Sequence, residues 1–82
     1  MDREKQIELL MMDGCTRKEA EKHLQNGATV FDDFAERFDA YMQEWDIEDI
    51  EPYRNMIDSK NPLPDWGVVE DDDKVYYIQY VL

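Results

Sequence analysis

The sequence predicts an α+β fold, with three to four helices packed on a C-terminal two-stranded antiparallel β-hairpin. Two observations carry this. Before residue 60, apolar side chains recur at intervals of three and four, between residues that cap and stop helices. From Trp66 onward the periodicity changes and β-branched and aromatic residues dominate. The size sets the scale: 82 residues form one domain, 1–82, and a chain this short buries only about 60% of its unfolded surface. With 43% hydrophobic residues, ten of them aromatic, it still has enough apolar matter for a core, so the charge does not make it disordered.

Residues 4–12 read as the first helix, with Ile7, Leu10 and Met11 as its stripe and Leu9 and Met12 widening it. Asp13-Gly14 ends it, because glycine takes the left-handed conformation that a helix stop requires. Thr16 opens the second helix, residues 17–25, and Glu19 three positions later completes a capping box. Ala20 and Leu24 are its buried side, and Asn26-Gly27 its stop. The third helix is predicted over 30–45 with Thr29 as N-cap. Phe31, Phe34, Phe38, Tyr41, Met42 and Trp45 line one side, each stabilising by about 1.5–3 kcal/mol if fully buried.

A fourth helix over 50–60 is capped by Asp46 or Asp49 and buries Ile50, Tyr53 and Ile57. Pro52 falls near its start, where a missing N–H is tolerated, and Lys60 falls in its last turn, where the dipole favours a cation. Asn61-Pro62-Leu63-Pro64 is an extended connection. The hairpin strands are placed at 66–70 and 74–81 around the turn Asp71-Asp72-Asp73. The last strand is apolar on both faces: Tyr76, Ile78, Tyr80 and Leu82 on one, Val75, Tyr77 and Val81 on the other. The core is expected to contain Leu10, Leu24, Phe34, Phe38, Tyr41, Trp45, Ile57 and Ile78.

Charge is the most distinctive property. The net charge is −12, from 21 acids against nine bases. This argues against direct binding to nucleic acid or an anionic membrane, which require clustered Lys and Arg, and points to a partner with a basic surface. Residues 32–51 hold nine acids, Asp32, Asp33, Glu36, Asp39, Glu44, Asp46, Glu48, Asp49 and Glu51, against the single base Arg37, a net of −8. On the predicted third helix Asp32, Glu36 and Asp39 fall at i, i+4 and i+7 and share a face. Such a row, with steps of about 5–6 Å, can imitate part of a phosphate track, the logic of a nucleic-acid mimic. The plainer reading is the solvated side of an amphipathic helix.

Catalytic and cofactor chemistry has little to stand on. His23, the only histidine, has Glu19 and Gly27 at helical spacing and reads as a solvent-exposed helical residue. Ser59 is the only serine and has no activating pattern. Cys15, the only cysteine, makes no internal disulfide and reads as a small semi-buried apolar residue. It precedes a helix start, eight residues before His23, on a different part of the helix–turn–helix. With Asp71 as position one of a calcium loop, Tyr76 and Leu82 occupy the places of the required Gly and Glu, so that pattern fails. No phosphate-binding glycine loop is present. No cofactor and no metal are expected, and the protein is read as a non-enzyme. The charged start Met1-Asp2-Arg3-Glu4-Lys5 and the lack of a long apolar run argue against a signal peptide and a membrane span, which makes the cytoplasm the expected compartment.

The stretch from Met12 to Leu24, with Gly14, Cys15, Ala20 and Leu24, resembles the loop and second helix of ubiquitin-associated domains over about the first 30 residues. Cys15 stands where that family has an aromatic residue, and an extra residue separates Met12 from Gly14; the resemblance implies a similar helix–turn–helix geometry and not ubiquitin binding. The whole chain resembles small acidic proteins of gut Firmicutes and their mobile elements, through Ala20–Gly27, Val30–Trp45 and Tyr76–Leu82. That setting suits phage or plasmid inhibitors of host defence. The expected function is a non-catalytic interaction protein whose acidic 32–51 surface engages a basic partner, as a nucleic-acid mimic or an inhibitor of a DNA-binding protein. The alternative is a regulatory or structural module that uses apolar surface, as a homodimer through the C-terminal strand.

Overall fold

The Asp2 side chain accepts the Lys5 backbone N–H at 2.8 Å and so caps the first helix, α1 (Arg3–Met12). In the computed structural model, which describes residues 1–81, α1 is followed by α2 (Arg17–Gln25), β1 (Thr29–Phe31) and α3 (Phe34–Glu44). A 3₁₀ turn (Glu51–Tyr53), α4 (Arg54–Ser59), β2 (Gly67–Asp71) and β3 (Lys74–Gln79) complete the chain. Leu82, assigned above to the last strand, lies outside the described residues. The fold class is α+β, as the periodicities predict. Thr16 and Glu19 close the predicted capping box of α2, each side chain meeting the other's backbone N–H. Among the described residues, no helix is long and apolar enough to cross a membrane.

The sheet has three strands rather than two, in the order β1-β3-β2, all antiparallel. The extra strand is Thr29–Phe31, which the sequence assigns to the start of the third helix. Phe31, Phe34 and Phe38 do fall at helical intervals, but Thr29, Val30 and Phe31 pair with Gln79, Ile78 and Tyr77. Their backbone groups satisfy a flank of β3 that would otherwise be unpaired beneath the helices. Thr29 is therefore not the N-cap of α3. Asp33 is, its Oδ1 accepting the Ala35 N–H at 3.2 Å.

This arrangement accounts for the two-faced last strand. Tyr76 and Ile78 face α1 and α2, packing with Val69, Ile7, Leu9, Leu10 and Ala20. Tyr77 faces the opposite way, into Phe34, Phe38 and Trp66, with Tyr53, Met56, Ile57 and Leu63 around them. Helices thus cover both faces of a small sheet, and β3 runs down its middle. The expected pairing of two copies along the last strand meets a strand already flanked on both sides at Tyr77 and Ile78, so β1 and β2 form the edges of the sheet.

Of the expected core, Leu10, Phe34, Phe38 and Ile78 are buried, while Leu24, Tyr41 and Ile57 are half-buried at its margins. Trp45 is 62% exposed, because α3 ends at Glu44 and the chain has left helical phase. On α1 the buried stripe is Ile7, Leu9 and Leu10, and Met11 points outward. The fourth helix is shorter than predicted. Asp49 Oδ1 accepts the Glu51 N–H at 3.1 Å and opens a 3₁₀ turn holding Pro52, so that α4 itself begins only at Arg54. Lys60 is the residue that stops it.

All four helices stop in the same way. In each, a residue in the left-handed conformation is followed by one whose N–H bonds the carbonyl five positions back: Cys15 to Leu10, Ala28 to His23, Ile47 to Met42 and Asn61 to Met56, at 2.8–3.1 Å. The left-handed residues are Gly14, Gly27, Asp46 and Lys60.

Replacing Phe38 by Ala is expected to destabilise the fold by about 3–5 kcal/mol. Replacing Trp45 by Ala is expected to change stability by no more than about 0.5 kcal/mol. Urea unfolding followed by far-ultraviolet circular dichroism checks both.

Candidate functional site

The nine carboxylates of residues 32–51 do not stand as one row. Asp32 precedes α3, so the predicted i, i+4, i+7 alignment with Glu36 and Asp39 is not formed. Its Oδ2 lies 3.6 Å from Lys74 Nζ, and Asp32 and Asp33 share a hollow with Lys60, Lys74 and a third acid, Asp73. Two bases from distant parts of the chain therefore offset part of this charge. Glu36 lies in the first turn of α3, where the helix dipole favours it. Glu51 is paired with Arg54 at 3.1 Å, and Asp49 is engaged in opening the 3₁₀ turn.

Of the remaining four, three come together toward the other end of α3. Asp39, Asp46 and Glu48 line one open hollow together with Met42, Gln43 and Ile47. Glu44, about 140° round the helix from Asp39, accepts a hydrogen bond from Gln79 Nε2 at 3.2 Å and lines a different cleft. The last turn of α3 holds no base, and the C-terminal end of a helix carries about half a negative charge of its own. Acids there cost about a few tenths of a kcal/mol each.

Asp46 adds a conformational cost, since at φ 52° it occupies the position that Gly14 and Gly27 fill on the first two helices. Lys60, the other non-glycine stop, places a cation at a helix C-terminus, where the dipole favours it. Only the stop of α3 is unfavourable on both counts.

The Glu44 cleft, of about 470 Å³, is lined by Asp13, Cys15, His23, Arg37, Glu44, Trp45, Asp65 and Tyr80. The sequence marks Arg37 only as the lone base among nine acids. In the fold it is 5% exposed, and its guanidinium lies over the Trp66 ring at 4.4 Å. Its Nε and Nη1 find no protein acceptor, and neither does the Trp66 indole N–H. Burial pushes the Arg37 pKa down, and the nearby carboxylates of Glu44 and Asp65 push it back up.

Tyr80 forms the opposite wall. Its hydroxyl donates to Asp13 Oδ2 at 2.6 Å and lies 3.8 Å from Cys15 Sγ, and its ring meets His23 edge-on at 4.8 Å. His23 is therefore half-buried against an aromatic ring, not a freely solvated helical residue. Gly67 makes room for this wall, because a Cβ there would lie 2.9 Å from Asp13 Oδ2 and 3.1 Å from Tyr80 Cε2. Cys15 and His23, eight residues apart in sequence, meet through Tyr80. Nothing in the residue pattern signalled this cleft, because its members come from both helical layers and from the segment after β3. Among the described residues, no three His, Cys, Asp or Glu side chains come together in a metal-holding group.

No family model matches the chain, and no significant match is found to a curated protein or to a solved structure.

Burial, and then the bond to Asp13, push the Tyr80 pKa above its ordinary value of 10.0. The neutral phenol is thus favoured in the folded state. The stability this supplies is fully present below pH 10, where folded and unfolded chains both hold the proton. It is lost as pH rises further, because the unfolded chain gives up its proton first. Tyr80→Phe is expected to flatten the alkaline fall in stability above pH 10, measured by urea unfolding at a series of pH values.

Proposed function

We propose that the protein is a small non-catalytic interaction module, working in the cytoplasm, that presents the carboxylates at the C-terminal end of α3 to a basic partner. Asp46 is the observation that carries this reading. An aspartate in a left-handed helix stop, at the negative end of the helix and beside Asp39 and Glu48, opposes stability both conformationally and electrostatically. A cationic surface docked there would relieve the electrostatic part. Function is the usual place where a locally unfavourable choice is retained.

The matching surface belongs to a protein that ordinarily holds phosphates, so the chain acts as a nucleic-acid mimic that occupies a DNA-binding protein. Carboxylates around an open hollow can meet Lys and Arg side chains in the way phosphate oxygens do. The net charge of −12 speaks against nucleic acid or an anionic membrane as a direct partner. It favours rapid, salt-sensitive encounter with a basic protein. The resemblance to small acidic proteins of mobile elements is consistent with an inhibitor of this kind.

Reversing Asp39, Asp46 and Glu48 to Lys is expected to abolish capture of basic proteins from the native host at low salt. It should leave stability unchanged or raised, because a lysine already serves as the stop of α4. A control reversal of Glu70, Asp72 and Asp73, which line a separate hollow at the hairpin, changes the net charge equally and should retain capture. Equal loss in both variants would mean that overall charge, and not this helix end, does the binding. Asp46→Gly alone is expected to stabilise the fold by about 0.5–1 kcal/mol, read from the urea midpoint.

A further inference from the structure

We propose that the cleft between α3 and Tyr80 holds a basic segment of the partner polypeptide. A backbone carbonyl of that segment accepts a hydrogen bond from Arg37, while a neighbouring Lys or Arg side chain lies between Trp45 and the carboxylates of Glu44, Asp65 and Asp13. This rests on the reading above and extends it, because α3 lines the acidic hollow on one side and this cleft on the other.

Three observations converge. The first is Arg37, which lines the cleft and is 5% exposed; its Nε and Nη1 are covered and have no protein acceptor, which leaves Nη2 as the nitrogen that a docked carbonyl can meet. A guanidinium stays charged in proteins, and a buried one without acceptors carries a desolvation penalty that a bound acceptor would offset. Glu44 and Asp65 are close enough to influence it, yet neither forms an ion pair with it. The second is the sign of the lining. Three carboxylates against one guanidinium leave the mouth negative, which disfavours an anion and favours a neutral acceptor carried on a cationic chain. The third is Trp45, which is 62% exposed at the rim. An exposed indole face beside carboxylates suits a Lys or Arg side chain. The volume, about 470 Å³, lies within the range of roughly 300–1,000 Å³ of clefts that take small ligands or side chains.

The test uses two tetracations, acetylated tetra-arginine amide and spermine. The first has backbone carbonyls and no terminal carboxylate; the second has no carbonyl. Binding to the full chain is measured by titration calorimetry, and the indole N–H signals of Trp45 and Trp66 are followed by nuclear magnetic resonance. The peptide is expected to shift the Trp45 signal and to bind about tenfold or more tighter than spermine. Trp45→Ala and Arg37→Met are each expected to weaken the peptide by about tenfold. Arg37→Met should keep or raise the unfolding midpoint, since it removes an unpaired buried charge in favour of an apolar side chain of similar length. Trp45→Ala, at an exposed position, guards against a folding defect in the other variant.

Equal affinity for spermine and peptide would overturn the role given to Arg37. Unchanged peptide affinity in both variants would overturn the cleft as the binding place. If the Asp39, Asp46 and Glu48 reversal then abolished peptide binding, the helix-end reading would stand and only the cleft would fall. If Trp45→Ala and Arg37→Met weakened the peptide while that reversal did not, the cleft would stand without the hollow.

Discussion

The structure depends on β3 being enclosed on every side. Its side chains enter two separate apolar clusters, Tyr76 and Ile78 toward α1 and α2, and Tyr77 toward Phe34, Phe38 and Trp66. Its backbone is hydrogen-bonded by β1 on one flank and β2 on the other. A strand buried on both faces cannot leave its N–H and C=O groups to water, so both flanks must be supplied from within the chain. The short β1 meets that need. It forces the chain to be extended at Thr29–Phe31, delays α3 until Asp33 can cap it, and so decides which carboxylates the helix presents.

The chemistry of the helix ends follows. Two helices stop on glycine and one on a lysine that the dipole favours, while α3 stops on Asp46. The backbone pattern is the same in all four, so the difference lies in charge and in the cost of a side chain at positive φ. The electronegative end of α3 lies between the acidic hollow and the Arg37 cleft. Arg37 is held from below by Trp66, whose ring face tolerates a cation but offers no acceptor. The acidic hollow and the unsatisfied Arg37 therefore lie on two sides of one helix.

Much of this was legible in the residue pattern. The capping box of Thr16 and Glu19, the stops at Gly14 and Gly27, the apolar stripe of α3 and the hairpin follow from local rules acting within a few residues. The errors share one cause. Phe31 fits a helix by its spacing and a strand by its type, and only the partner strand, nearly fifty residues away in sequence, decides between them. Trp45 continued the stripe numerically, but the helix had ended one residue earlier.

By itself the sequence determined what depends on neighbours along the chain: the class of fold, the capping box of α2 and the stops of α1 and α2, the excess of acid and its concentration in residues 32–51. Only the tertiary structure decided how that acid is divided. Asp32 and Asp33 fall beside Lys60 and Lys74, Glu51 beside Arg54, and Asp39, Asp46 and Glu48 are left around a hollow that no base lines among the described residues. The reason is physical. Capping and periodicity act over one helical turn, whereas the neutralisation of a charge and the burial of Arg37 depend on distances through space, which exist only once β3 has drawn its flanking strands and both helical layers together.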